Sequence, residues 1–470
     1  MNQVPELRRA LDDEMARLQA PPGLESRVLA QAFLDEQSVS VPSNWILAAV
    51  AALLALAVVA TLVIGAHALR PRSSVPVQRP QRQAPASASC PGWGPVNFIG
   101  SWPIPEKMTS ATTGWAMGAL RTTDGGANWH DVSPSSLRAD APPGAALSNA
   151  VYPPGYAEFF LDANHAWLTR NYSSPAACTD HVIAFATSDG GRTWQPSASI
   201  DLKLDQGSAA SSKMFFLDPH DGWLWLAIGP IGQGRLGEPE VFASRADLYA
   251  TSDGGLNWHL VSSVNSSKIG NSSSDVCSAT VGDLAFASQT DGWLTIPCQT
   301  AAALLVTRDG GLSWKLQRLS LSKSIVCPCS ASLPTFFDAA RGIVELSGSG
   351  MRPSLLATLD GGRTWRELPA LPGTGYSMAL DFVDANNFWY VGTPPGWIKP
   401  TTVGLELYRT TDGGKTWTLV RPDATVGPLP VYFQFVDVQH GFALTGGSTS
   451  TLLATADGGR SWKAIQPKVS

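Results

Sequence analysis

The polarity pattern divides the chain into distinct regimes. Residues 1–43 mix charged and apolar positions. Val4, Leu7, Leu11, Met15 and Leu18 fall at helical spacing until Pro21-Pro22-Gly23 breaks the run, and a second short helical stretch is expected from Leu24 to Leu34. From Asn44 to Leu69 no residue carries a formal charge. A helix of that length reaches roughly 39 Å, enough to cross a bilayer with some tilt. Residues 70–90 are rich in Pro, Ser, Gln and Ala and read as an extended stalk. From residue 91 onward the apolar runs are short and cut by Gly, Asp, Ser and Pro, the pattern of many strands joined by turns.

Within that last region one element recurs seven times: TTDGGANW, TSDGGRTW, TSDGGLNW, TRDGGLSW, TLDGGRTW, TTDGGKTW and TADGGRSW. The aspartates are Asp124, Asp189, Asp253, Asp309, Asp360, Asp412 and Asp457, spaced 45 to 65 residues apart. The tryptophans are Trp129, Trp194, Trp258, Trp314, Trp365, Trp417 and Trp462. Each box follows a short apolar strand such as LLVT and precedes another such as WTLV, so it is expected to be a hairpin turn. Upstream of each box lies a second recurrent strand: GWAMG, AWLT, GWLWL, GWLTI, GIVEL, FWYVG or GFALTG. Before several of these comes a further strand ending in Asp, as in FFLD and DFVD. About four strands per repeat, seven times over, predicts an all-β, seven-bladed β-propeller over residues 91–470, since radial closure leaves no long free sheet edge.

The D-G-G-x-[NST]-W element resembles the Asp-box, or BNR repeat, found in sialidases, sortilin-type receptor domains, xyloglucanases and the photosystem II stability/assembly factor family. The combination of GW strand and box at even spacing is most similar to the last of these (a YVTN/BNR-like repeat family), and covers about 380 residues. The resemblance implies a propeller that binds or assembles another protein without catalysis. It is specific for fold and far less so for activity. The box residues themselves point to a structural role. Asp accepts backbone hydrogen bonds in its own turn, Gly supplies positive φ, and Trp covers the hairpin. No catalytic residue is assigned to the boxes.

Composition adds location. All six cysteines (Cys90, Cys178, Cys277, Cys298, Cys327 and Cys329) follow the apolar span. An even set on one side fits disulfides in an oxidising compartment, with the pairing left open. Arg70, Arg72, Arg79 and Arg82 flank the span on the same side and would by charge alone hold it in the cytoplasm. A large domain crosses despite such charge, so the cysteines decide the orientation. The expected arrangement is a cytoplasmic arm (1–43), a transmembrane signal anchor (44–69), a stalk (70–90) and an extracytoplasmic propeller (91–470), in a single-pass protein of the cell membrane. The net charge of −5 argues against a nucleic-acid partner.

For chemistry the signals are sparse. The seven histidines have no metal-ligand spacing, and neither metal nor cofactor is expected. A sialidase needs three arginines on its substrate carboxylate and an early Arg-Ile-Pro motif, and the corresponding stretch here reads SWPIPEK. Arg170, Arg245 and Arg352 are the arginines that could converge, and Trp397 in GTPPGWIKPTT is the aromatic best placed to touch a ligand such as a glycan. Long segments at 134–156, 170–181, 226–247, 261–279 and 392–404 read as loops on a rigid scaffold, where partners bind. The leading expectation is a scaffold for another protein or membrane complex. A glycoside hydrolase or glycan-binding propeller, and a receptor-like sensor signalling through residues 1–43, are the alternatives.

Overall fold

The computed structural model describes residues 105–135, 157–174, 177–202, 204, 208–233, 239–241, 243–265, 282–296, 302–319, 329–348, 353–373, 377–392, 405–424, 430–445 and 451–470. The cytoplasmic arm, apolar span and stalk expected from the sequence lie outside these residues.

Seven antiparallel sheets follow one another along the chain, each built mainly from four strands, here a to d in chain order. The a strands are Pro105–Met108, Glu158–Phe160, Ser208–Phe216, Leu284–Phe286, Thr335–Phe336, Ser377–Phe382 and Pro430–Phe435. Strand a touches that of the next blade between blades 2 and 3, 3 and 4, 6 and 7, and 7 and 1, so these strands form the inner ring of a closed seven-bladed propeller. The d strands lie outermost. A final strand, Lys468–Val469, adds in parallel to the d strand of blade 1, pairing Lys468 with Asn128 and Val469 with Trp129. The last strand of the chain therefore covers the outer edge of the first blade, where unpaired N–H and C=O groups would otherwise stand.

The seams between blades repeat one packing unit. The Trp of strand b stacks on the Phe that ends strand a of the next blade: Trp115 on Phe160, Trp167 on Phe216, Trp223 on Phe286, Trp293 on Phe336 and Trp389 on Phe435, with ring centroids 3.6 to 5.1 Å apart. Each such Phe also needs room over its own strand b. A Cβ added at Gly222 would lie 2.5 Å from the ring of Phe216, which is why Gly precedes Trp there. In blades 1, 4 and 6 an arginine, Arg121, Arg308 or Arg409, lies 4.7 to 5.5 Å from the centroid of the Trp. Blades 5 and 7 carry Ile343 and Phe442 in the Trp position, and the closing seam packs Phe442 with Met108.

The two ends of the ring differ. All a–b turns are five residues long and, with the c–d turns, emerge at one end. At the other end the connections run from 2 residues (175–176) to 26 (132–157). Two segments read as loops from sequence are strands here. Residues 170–181 belong to a long hairpin of Ala166–Ser174 with Ala177–Thr187, and 226–247 to Gly222–Gln233 with Pro239–Val241 and Arg245–Thr251. Thr, Val, Ile and Tyr sustain strand geometry beyond the blade, and the Asn171 amide donates to the Ala210 carbonyl of the next blade at 3.0 Å.

Candidate functional site

Two sets of polar groups compete for a functional role: the seven box turns and the inner wall of the ring. In every box the Thr two residues before the Asp is buried. Its hydroxyl donates to Asp Oδ1 at 2.7–2.9 Å and accepts the amide of the second Gly at 2.8–3.0 Å. The Asn, Thr or Ser before the Trp gives its amide to Oδ1 at 2.8–3.0 Å and its side chain to Oδ2 at 2.5–2.7 Å. Both glycines have positive φ. The first one donates its amide to a carbonyl of the a–b turn at 2.7–3.0 Å, tying the two turns of each blade together.

These bonds set the electrostatics. For Asp309, Asp360, Asp412 and Asp457 the side-chain bond from Ser or Thr is the largest influence, and it lowers the pKa, to about 2 for Asp412 and Asp457. For Asp124, Asp189 and Asp253 partial burial is the largest single influence and acts upward, but the combined hydrogen bonds outweigh it and these too are lowered. Both oxygens of each box aspartate are thus committed to its own turn. His165 and His440 are similarly held, with Nδ1 2.9 and 2.8 Å from Asp162 and Asp437.

The inner wall is different. A cavity of about 1150 Å³ is lined by the inner strands of blades 1 to 5. Its shape follows from one position per blade, the strand a residue paired with the Trp-position residue of strand b. The series is Lys107, Phe159, Phe215, Ala285, Thr335, Asp381 and Gln434. In blades 6, 7 and 1 it is a polar side chain clamped to the next blade's backbone. Asp381 accepts from the Phe435 amide at 2.6 Å, Gln434 accepts from the Met108 amide at 2.8 Å, and Lys107 donates to the Leu161 carbonyl at 2.8 Å. In blades 2 and 3 it is a phenyl ring, with Phe159 and Phe215 centroids 5.3 Å apart. In blades 4 and 5 it shrinks to Ala285 and Thr335, and the cavity opens there.

Charges line the same cavity. Lys213 pairs with Asp283 at 2.8 Å. Glu106 lines it too and keeps an exposed side chain; nearby protein displaces part of its hydration and raises its pKa, and the Lys213 charge opposes this. Beyond the cavity, burial pushes Asp381 up to about 6 against the opposing Phe435 amide bond. None of these residues stood out from the sequence. The signal was present: each series member lies eight residues before the Trp position of strand b.

The remaining sequence candidates do not form one visible site. Arg170 is half-buried in strand b of blade 2, paired in register with Ile183. Arg245 begins strand c of blade 3, and its guanidinium grips the buried Asp247 at 3.0 and 3.1 Å. Arg352 and Trp397 lie outside the described residues. Cys178 and Cys329 sit on strands, with side chains outside the described set, as are Cys90, Cys277, Cys298 and Cys327 altogether.

Fold and turns together define an Asp-box β-propeller of seven blades. The family model for the BNR/Asp-box repeat matches residues 408–419, the box of blade 6. The chain is similar in fold to YCF48 from Cyanidioschyzon merolae, at 19% identity and a TM-score of 0.42 over 67% of this chain and 86% of that one. It is similar also to YCF48 bound to D1 peptide, at 17% identity and a TM-score of 0.41 over 76% of this chain and 91% of that one. A GH74 xyloglucanase from Xanthomonas campestris is 18% identical with a TM-score of 0.40, over 65% of this chain but 45% of that one. No curated protein matches the chain.

Proposed function

We propose that this protein is a membrane-anchored, extracytoplasmic scaffold whose propeller binds another protein or a membrane complex without catalysis. The observation that carries the reading is the contrast between the two ends of the ring. One end is seven near-identical turn pairs whose carboxylates are fully used in holding the turns. The other end carries every long connection and two extended hairpins on adjacent blades, and variable segments on a rigid ring are the usual means of partner recognition. Burying a partner on such an end needs shape and charge complementarity rather than a reactive group. One similar structure, YCF48, is described as bound to a D1 peptide. A protein ligand for this chain is proposed here on its own geometry.

The test is crosslinking of the full-length protein in its host membranes, followed by purification and identification of what is attached. One dominant complex that disappears when 136–156 and 234–238 are shortened supports the scaffold. Absence of a reproducible partner overturns it. A glycan-directed reading has one observation in its favour, the raised pKa of Glu106 in the cavity. It requires that Glu106→Gln abolish hydrolysis or binding of an oligosaccharide panel by the wild-type protein.

A further inference from the structure

The inner wall of the ring contains an interrupted aromatic series. Phe159 and Phe215 occupy the same position on successive blades, and their rings lie 5.3 Å apart, an edge-tilted contact at 60°. The next member is Ala285 and the one after it Thr335, and both line the cavity beside Phe215. Ala285 is half-buried and Thr335 exposed. The phenyl series therefore stops at Phe215, whose ring lies 6.5 Å from that of Phe286 in blade 4 and lines the cavity together with Ala285. Leu333 and Phe337, on either side of Thr335 in blade 5, bound the same space. The electrostatics are asymmetric as well. The ammonium of Lys213 is drawn to Asp283 at 2.8 Å. Glu106 lines the same cavity with its carboxylate exposed to it.

We propose that this gap is a slot for one aromatic side chain of the partner protein, followed or preceded by a lysine or arginine that meets Glu106. The proposal rests on the scaffold reading and names the chemistry of its partner. An aromatic ring seated over Ala285 would continue the Phe159–Phe215 series at about the same spacing, burying ring area on both partners. A neighbouring cation would pair with the exposed Glu106 carboxylate, a contact that salt screens. A purely apolar ligand would leave Glu106 desolvated and unpaired, which disfavours it. An acidic ligand would add like charge beside Glu106 and Asp283.

The experiment measures fluorescence anisotropy of a labelled eight-residue Gly/Ser peptide carrying one Lys-Phe pair, titrated with the full-length protein in detergent. Binding is expected, weakened at least tenfold when the peptide Phe becomes Ala, and several-fold when its Lys becomes Glu. Ala285→Phe and Thr335→Phe fill the slot from within and are expected to weaken binding at least tenfold, with thermal melts run as a control. Glu106→Gln is expected to weaken binding several-fold and to flatten its salt dependence. Equal binding of the Phe and Ala peptides overturns the slot, even if both filling variants unfold. Crosslinking in host membranes separates the two readings. A partner captured equally by wild type and Thr335→Phe overturns the slot while the scaffold stands, and capture by neither overturns both.

Discussion

Carboxylates at the turns of this propeller and three carboxylates on its strands have opposite electrostatic fates. The turn set includes the seven box aspartates together with Asp162, Asp218, Asp338, Asp384 and Asp437 of the a–b turns, and all are lowered. Each accepts two or more hydrogen bonds from its own turn, so the ionised form is the one the fold has built around. The strand set, Glu106, Glu345 and Asp381, is raised because protein replaces water around it with few compensating donors. A repeated acid with a lowered pKa is a structural part, whereas an acid held against its ionised form near a cavity is a place where binding or protonation changes something. Counting aspartates in the sequence would have drawn attention to the wrong set.

The largest effect is expected from breaking the turn set. Asp309→Ala removes the acceptor for the Thr307 hydroxyl, the Ser313 amide and the Ser313 hydroxyl at 2.7, 2.9 and 2.5 Å. Because the Ser313 donors are exposed and water replaces part of the loss, the cost is about 2 kcal/mol. It is read as a shift in the urea unfolding midpoint with an unchanged slope. A loss below about 0.5 kcal/mol would show that the box is dispensable to its blade. The pH dependence has a defined sign. These acids are lowered on folding, so their stabilisation is present above about pH 4. It is lost as pH falls toward about 2, the value for Asp412 and Asp457.

Much of this contrast was open to a reader of the sequence, and the reason is periodicity. A turn needing Thr, Asp, two glycines and Trp at fixed offsets leaves the same letters seven times, and the even intervals between them imply blades. The FFLD-type strands and the GW strands were equally visible. What the letters did not reveal were relations across seams. That Trp293 stacks on Phe336 of the following blade, or that Lys107, Phe159 and Ala285 share one structural position, depends on how neighbouring sheets face each other. The Ala166–Ser174 and Gly222–Gln233 strands were recognised only at their AWLT and GWLWL starts, because the polar RNYSS and Gly-Pro-rich GPIGQ that extend them resemble loops locally. Pairing with a neighbouring strand overrides that local preference.

A smaller effect, opposite in pH direction, is expected at Asp381. Its pKa is raised from 3.8 to about 6, so it favours the folded state when protonated. That contribution is complete below about pH 4 and is lost as pH rises through about 6. Asp381→Asn keeps an acceptor for the Phe435 amide at 2.6 Å and removes the charge. The variant should be more stable than wild type at pH 8 by roughly 1–2 kcal/mol, and indistinguishable from it at pH 4. Equal stability at both pH values would place Asp381 in water rather than in the seam, and so would erase the distinction between the two carboxylate sets at this residue.

The smallest effect tests whether burial alone is enough to place an acid in the strand set. Glu345 lies on strand b of blade 5, its backbone amide donating to Ser332 Oγ at 3.0 Å, and burial is the sole cause of its raised pKa. Asp381 has an amide donor that offsets part of its desolvation, and Glu106 has Lys213. If desolvation sets the sign, Glu345→Gln should stabilise the protein by roughly 0.5 kcal/mol at pH 7, with the gain shrinking as pH is lowered, because a carboxyl held above its ordinary value is the first to be neutralised. Double substitution with Asp381→Asn should be additive, because the two acids lie on different blades and share no described partner. A gain that persists undiminished as pH is lowered would have to come from packing or strand preference rather than charge. Glu345 would then leave the strand set, which would shrink to the two acids that face a neighbouring blade or the cavity.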